Sequence, residues 1–407
     1  MSFQQGLSGL NASARDLDVI GNNVANANTI GFKSGRLQFA DMYATSLATN
    51  VGNNIGFGVT ATSVQQQFIQ GGITATNNPL DVAINGRGFY VISDPSGTLY
   101  TRNGEFQLDK DGYLVTAGGG RVQGYAVNSE GAIVPGNLTD LQLTSSDIAP
   151  AATTHGSIIA NLDSRKAILD PAAFDPANPA TYQGATSMTT YDSLGNSHTL
   201  SLYFVKSASN QWQVFAANDG VLVSPTSVTT LNFTPDGALD IAASPQPVNL
   251  SVALANGAVT PLAMELDLTQ FTQFGSNFGV NDIKQDGYSS GRLAGFTIGS
   301  DGYISARYTN GRTKTLGQVG LADFTNPNGL QTVGKNAWME TAASGQPLIG
   351  TPLSSSFGEL RSGAVEESNV DLTAELVNMI TAQRSYQANA QTIRTQDQVL
   401  QTLVNLR

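Results

Sequence analysis

Both ends of this 407-residue chain carry long apolar stripes at heptad spacing, around an interior rich in Gly and Thr that reads as β-structure. At the N-terminus Phe3, Leu10, Leu17 and Val24 recur every seven residues, with Leu7, Ala14, Ile20 and Ala27 beside them. At the C-terminus Leu372, Met379, Tyr386, Ile393 and Leu400 repeat the spacing, widened by Leu376, Ile380, Ala390, Leu403 and Val404. A lone helix would leave such a stripe wet, so the first and last segments are expected to pack on each other and on copies of themselves. The chain leaves and returns to the same place.

The final helix is predicted to start near Ser368 to Asp371, a serine followed by an acid three residues on, and to run toward Arg407 without Pro or Gly. Residues 366–407 would span ~60 Å if fully helical. The face opposite the stripe is rich in Asn and Gln and nearly uncharged, which suits a helix surrounded by other helices. A pair that merely closed one monomer would carry charged flanks and a solvated outer face, so an intermolecular role is favoured. The first helix has a capping box in Ser2 and Gln5 and fades at Gly21, Asn22 and Asn23.

Charge supports the same reading. Charged residues are only 13% of the chain, about half the usual share in soluble domains, and the net charge is −11. A subunit packed against many identical copies gains by replacing surface charge with amides and hydroxyls. The acidic balance, with no basic run, argues against nucleic acid as a partner. With no cysteine, disulfides, thiolate metal sites and cysteine nucleophiles are excluded. No segment approaches the length of apolar chain that spans a membrane, so no membrane insertion is expected. The N-terminus lacks the basic and apolar regions of a cleaved secretory signal, so the protein is either cytosolic or leaves by a route that uses none.

The fold class expected is mainly β with long terminal α-helices in a nested, multi-domain order. Residues 1–32 and 365–407 form the terminal helical, coiled-coil domain, and 33–71, polar and poorly periodic, an extended linker arm. Residues 72–147 and 288–364 form a discontinuous β-domain, and 148–287 an inserted outer β-domain. Strand and turn signals carry the β assignment: Phe89, Val91 and Ser93 on one face, Asp94-Pro95-Ser96-Gly97 as a turn, then Asn103-Gly104 and Asp111-Gly112 as hairpin pairs. Asp301-Gly302 and Asn310-Gly311 mark further turns. In the insertion, Leu200, Leu202 and Phe204 alternate with Ser201, Tyr203 and Val205 before Trp212, Val214 and Phe215.

Chemistry is sparse. His155 and His198 stand in separate segments without companion ligands and read as polar strand or turn residues, so no metal is expected. Asp109-Lys-Asp-Gly112 has its glycine too early for a calcium loop and reads as a hairpin. Gly86-Arg-Gly88 and the glycines at 118–120 are followed by no helix and cradle no phosphate. No segment singles out paired carboxylates, and neither a catalytic residue nor a cofactor is predicted.

The stretch around Asn22, Asn23, Ala25, Asn26, Asn28, Gly31, Phe32 and Lys33 resembles the signature shared by the bacterial flagellar rod and hook axial proteins. The closing segment Ser368, Asn369, Val370, Asp371 and Leu372, with Glu375 to Ile380 and Gln383, Arg384 and Tyr386, is similar to that family too. So are Ala83 to Tyr90, Tyr100 to Phe106 and Asp111 to Leu114. Tyr191 to Leu200 and Leu316 to Phe324 resemble the hook branch, whereas a distal rod protein would lack the large insertion. The resemblance implies a structural subunit, not an enzyme, that polymerises into a hollow flexible tube outside the cell. In that family the tube is a universal joint that passes motor torque to the filament. It further implies export through the flagellar type III apparatus without signal cleavage. The partners it implies are the distal rod, the hook-filament junction protein, the hook cap and the hook-length control protein. The competing class is a secreted β-rich adhesin or enzyme whose termini only dimerise it.

Overall fold

The structure, a computed structural model, describes residues 2–42, 58–128, 131–134, 136–143 and 146–405, with helix side chains from Phe3 to Thr402. Residues 43–57 of the expected arm, the Ser2 cap, the Leu403 and Val404 side chains and Arg407 lie outside the described set. The fold is mainly β, with a helix at each end: α1 (Ser2–Ala25) and α2 (Leu372–Asn405). Two compact units divide the chain. The first takes Met1–Ser145, Gly295–Arg307 and Thr313–Arg407, and the second Ser146–Ala294 with Tyr308–Arg312.

Helix α1 ends at Ala25, just past the Gly21-Asn22-Asn23 run where it was expected to fade, because asparagines compete for its last turn. Asn26 donates through Nδ2 to the Asn22 carbonyl at 2.9 Å, and Thr29 N donates to the Asn26 carbonyl at 3.1 Å. At its start α2 is capped by Asp371, whose Oδ1 accepts from Thr373 N and Ala374 N at 2.9 and 3.2 Å.

Between the helices and the β-core lies a ladder where an irregular arm was expected. Strand β1 (Gly35–Asp41) pairs antiparallel with β2 (Val59–Gln66), with a register shift between Gln38 and Phe39. Its one-residue slip and mostly exposed faces erase the alternation by which a strand is read from sequence.

The β-core of the first unit is organised by strand Phe89–Asp94, buried on both faces. Tyr90 and Ile92 enter a cluster with Val82, Ile84, Phe106, Leu114 and Val122. Phe89 and Val91 point the other way, to Tyr100, Phe324 and Trp338. The turn at 94–97 and the hairpin across Asp111-Gly112 form as expected, pairing Phe89–Asp94 with Gly97–Thr101 and Phe106–Leu108 with Leu114–Thr116. Asn103-Gly104 makes no hairpin. There Gly104 lies alongside Val82, whose N–H donates to the Gly104 carbonyl at 2.9 Å, so the pair serves a long-range contact instead.

The second unit packs two five-stranded sheets. Strand Ser197–Ala208 turns Leu200, Leu202 and Phe204 inward, where they meet Trp212, Val214, Ile158, Leu250 and Leu266. On the opposite face of that strand Tyr203 packs in an aromatic group with Phe174, Tyr182 and Phe215, the Phe174 and Phe215 rings stacked at 4.2 Å. Among the described residues no helix is long and apolar enough to cross a membrane.

Candidate assembly site: a clasp and two helix faces

Glu366 closes strand Ala364–Glu366, which pairs with Ile73–Ala75, and becomes the hub of a buried polar clasp. Its Oε1 accepts from Lys33 Nζ at 2.6 Å and from Gly71 N at 3.0 Å, its Oε2 from Arg102 Nε at 2.9 Å, and its carbonyl from Gly31 N at 2.8 Å. Lys33 also donates to the Ile69 carbonyl at 2.8 Å, and Arg102 to those of Gly86 and Gly88. All three charged side chains are buried. Burial pushes the Lys33 ammonium below the usual lysine range, Glu366 opposes that shift, and the Arg102 charge adds to it. Gly31 sits at φ +69 with its α-carbon against Asn103, where a Cβ would meet backbone at 2.7 Å; only glycine fits.

Two asparagines of the signatures extend the clasp. Asn23 bonds both backbone groups of Gly35, Oδ1 accepting at 2.9 Å and Nδ2 donating at 2.8 Å, so its amide imitates a strand neighbour. It also donates to Glu375 Oε1 on α2 at 3.2 Å. Asn369 accepts from Ser34 N at 2.7 Å and donates to the carbonyls of Gln67 and Ile69. Asn22, Asn26, Gly31, Lys33, Ser368, Asn369 and Asp371 thus make caps and the clasp. Ala25, Asn28, Phe32 and Val370 flank these contacts. Glu366 and Arg102 escaped sequence reasoning. Their neighbours, Thr101, Asn103 and Glu105 around Arg102 and Glu367 beside Glu366, are polar, so the local sequence gives no sign that either side chain is buried.

Beyond the clasp the helices run antiparallel. Gly6 and Gly9 of α1 lie against Ile393 and Asn389 of α2, close enough that a Cβ would reach Ile393 Cγ1 at 3.2 Å and the Asn389 amide at 2.8 Å. The covered positions of α2 are Glu375, Met379, Ala382, Asn389, Ala390, Ile393 and Gln396, with Tyr386 at the edge; apart from Ala390 they step by fours and threes. Met379 and Ile393 of the expected stripe therefore face α1. Leu372, Leu376 and Leu400 are exposed, and beside them Val377 and Ile380 are 59% and 51% exposed.

On α1 the face toward α2 coincides with the heptad stripe only in part. At about 100° per residue, Phe3 and Leu7 lie on a different side from Gly9, Ser13 and Ile20, whereas Leu10, Leu17 and Val24 run along the border beside Gly6. Phe3 and Leu7 are 46% and 43% exposed, and Leu10, Leu17 and Val24 half-buried. Small residues let the two backbones approach, and the larger apolar side chains are left for something else. A polar cleft of about 600 Å³, lined in part by Asp16, Asn23, Arg36, Glu375 and Asn378, lies where the helices meet β1.

The histidines lie elsewhere. The His155 ring is exposed beside Glu265 and Asp286, and His198 sits between Asp192 and Asp219. Among the described residues no group of three or more His, Asp or Glu side chains is placed to hold a metal ion.

Comparison with known proteins accounts for this arrangement. Residues 3–33 match the family described as flagella basal body rod protein, and 361–406 the C-terminal region of the flagellar basal body rod FlgEFG proteins. Residues 83–147 match the flagellar hook protein FlgE/F/G D1 domain, and 161–288 the flagellar basal body protein FlaE D2 domain. These matches define a class, the axial subunits of the flagellar rod and hook. Within it, the flagellar hook protein FlgE of Salmonella typhimurium is 42% identical over 416 residues, covering all of both chains. That of Escherichia coli K12 is 43% identical over 415 residues, and that of Borreliella burgdorferi 35% identical over 442 residues. The chain belongs to the flagellar hook protein FlgE family, a family of structural subunits and not of enzymes. The crystal structure of the Helicobacter pylori flagellar hook protein FlgE2 shares the fold, with a TM-score of 0.54 at 16% identity over 71% of this chain and 99% of that one.

Proposed function

We propose that this protein is the repeating subunit of the flagellar hook, a hollow helical tube outside the cell that bends while passing torque to the filament. The observation that carries the reading is the pair of helices: each is held to the other through one face and keeps a second, apolar face exposed. The occupant of those faces is a second copy of the chain. In that arrangement α1 and α2 form a coiled-coil inner domain, with Phe3, Leu7, Leu10, Leu17 and Val24 of one subunit and Leu372, Leu376 and Leu400 of its neighbours buried at subunit contacts. Met379, Tyr386 and Ile393 hold the pair itself. The clasp then ties the inner domain to the β-core, so that torque on one reaches the other.

The second unit serves as an inserted outer domain whose contacts between subunits are polar and poor in charge. Such contacts slide between alternatives of similar energy, which bending requires once per turn, whereas deep apolar locking would resist it. The distal rod, hook-filament junction protein, hook cap, hook-length control protein and type III export apparatus are the partners that fit this role.

Electron microscopy of the concentrated full-length protein is expected to reveal tubes, and a chain ending at Glu367 to remain a folded monomer. Tubes from the truncated chain would show that α2 is not the polymerising element.

A further inference from the structure

In the second unit His198 joins three loops that are distant in sequence. It stands on strand Ser197–Ala208 with its side chain 12% exposed. Nδ1 lies 2.7 Å from Asp219 Oδ2, on the turn after strand Gln211–Asn218. Nε2 lies 3.4 Å from Oδ2 of Asp192, a fully buried carboxylate at the head of the 192–196 turn. The same Asp192 oxygen accepts from Asn256 Nδ2 at 2.6 Å, and Asp192 Oδ1 accepts from Leu194 N and Asn196 N at 2.9 Å. Val259 N donates to Ser193 Oγ at 2.9 Å, fastening the 254–260 loop to the same turn.

We propose that His198 is a proton-operated tie: as an imidazolium it donates to both carboxylates and locks the three loops together, and as a neutral ring it releases one of them. A neutral imidazole carries a single N–H; with that proton on Nδ1 toward Asp219, Nε2 turns its lone pair toward Asp192 and toward the Asn256 amide 3.5 Å away. The contact released is the longer one, to buried Asp192, which keeps its Asn196 and Asn256 donors. The charged groups facing the ring are Asp192 and Asp219; the 254–260 loop brings none. The hydrogen bond to Asp219 raises the imidazole pKa above its ordinary value, burial opposes this, and Asp192 adds to it. A raised folded-state pKa means that this stabilisation is full below the ordinary histidine value and is lost as pH rises through the folded one. Leu194, Val221 and Val259 stand exposed on the three loops, so the proton decides how firmly these apolar side chains are held.

The test uses the full-length monomer and does not depend on polymerisation. Hydrogen-exchange protection of the Leu194, Asn196 and Val259 amides, corrected for intrinsic rates, is expected to fall by up to about tenfold between about pH 6 and 9. His198→Gln should abolish that dependence, while His155→Gln, at an exposed ring, should keep it. Unchanged pH dependence in His198→Gln would overturn the proposal. Should that variant fail to fold, imidazole NMR of the unmodified protein decides. A His198 midpoint above about 6.5 supports the tie, and one at or below it overturns it.

Discussion

Lys33 Nζ lies 2.6 Å from Glu366 Oε1, across 333 positions of sequence and with both side chains sealed from solvent. This contact and the Arg102 arm beside it join the end of the first signature to the start of the last. They also hold two cations on one carboxylate in a place where neither can be hydrated.

Removing the hub should therefore be worse than removing an arm. Glu366→Ala strands Lys33 and Arg102 together and is expected to destabilise the first unit by about 3–5 kcal/mol. The denaturant transition of that unit should shift while that of the second stays in place. A loss below about 1 kcal/mol would mean that water reaches the clasp. Lys33→Met leaves Glu366 paired with Arg102 and should be the milder change.

The exposed apolar face of α2 separates assembly from folding. Ile380→Asp alters a side chain that meets solvent in the monomer, so thermal unfolding should move by no more than about 0.5 kcal/mol. Tube formation should nonetheless cease, because an unpaired carboxylate buried at each subunit contact costs several kcal/mol. Sedimentation of polymer against monomer reads the outcome. Normal tubes from this variant would remove the Leu372, Leu376 and Ile380 face from the subunit contact. Ile393→Asp is less informative, since it also strikes the contact with Gly6.

Glycines on α1 should respond according to what lies beside them. A Cβ added at Gly21 would have nothing within 4 Å, so Gly21→Ala should stabilise the helix of the monomer by about 0.5–1 kcal/mol. Gly9→Leu must displace Asn389 and should part the helices, seen as lost amide protection in both. Equal behaviour of the two variants would contradict the close glycine approach.

The second unit should be removable. Ile148 bridges to Gly291 and Ala151 to Tyr288, so the chain enters and leaves this unit side by side. Deleting 152–287 and joining the ends with a short linker should leave a folded first unit that still polymerises. The polymer is expected to be straighter or stiffer, and cells carrying it to swim poorly while exporting the protein. A folded, exported deletion that forms no tube would assign essential contacts to the second unit.

How much of this was legible beforehand follows the range of the interactions. Helix ends, the alternation of Leu200, Leu202 and Phe204, and the turn at Asp111-Gly112 depend on neighbours a few residues away, and composition and spacing record such preferences directly. The signature residues of both termini were visible as a pattern too. Their work was not: that Asn23 serves Gly35, or that Asn369 closes on Ser34, depends on where distant backbone groups come to lie.

By itself the sequence determined that both chain ends are amphipathic helices and that the interior is β, because these follow from periodicity and residue type. Only the tertiary structure decided which face of each helix meets the other. The heptad stripe of α1 was the obvious candidate, yet Gly6 and Gly9 are the residues that approach α2. Backbones pack closest where side chains are smallest, and hydrophobic periodicity cannot register the absence of a side chain. The same holds for Glu366 and Arg102. A charge becomes a structural hub only when folding removes the water around it and supplies its partner from the other end of the chain.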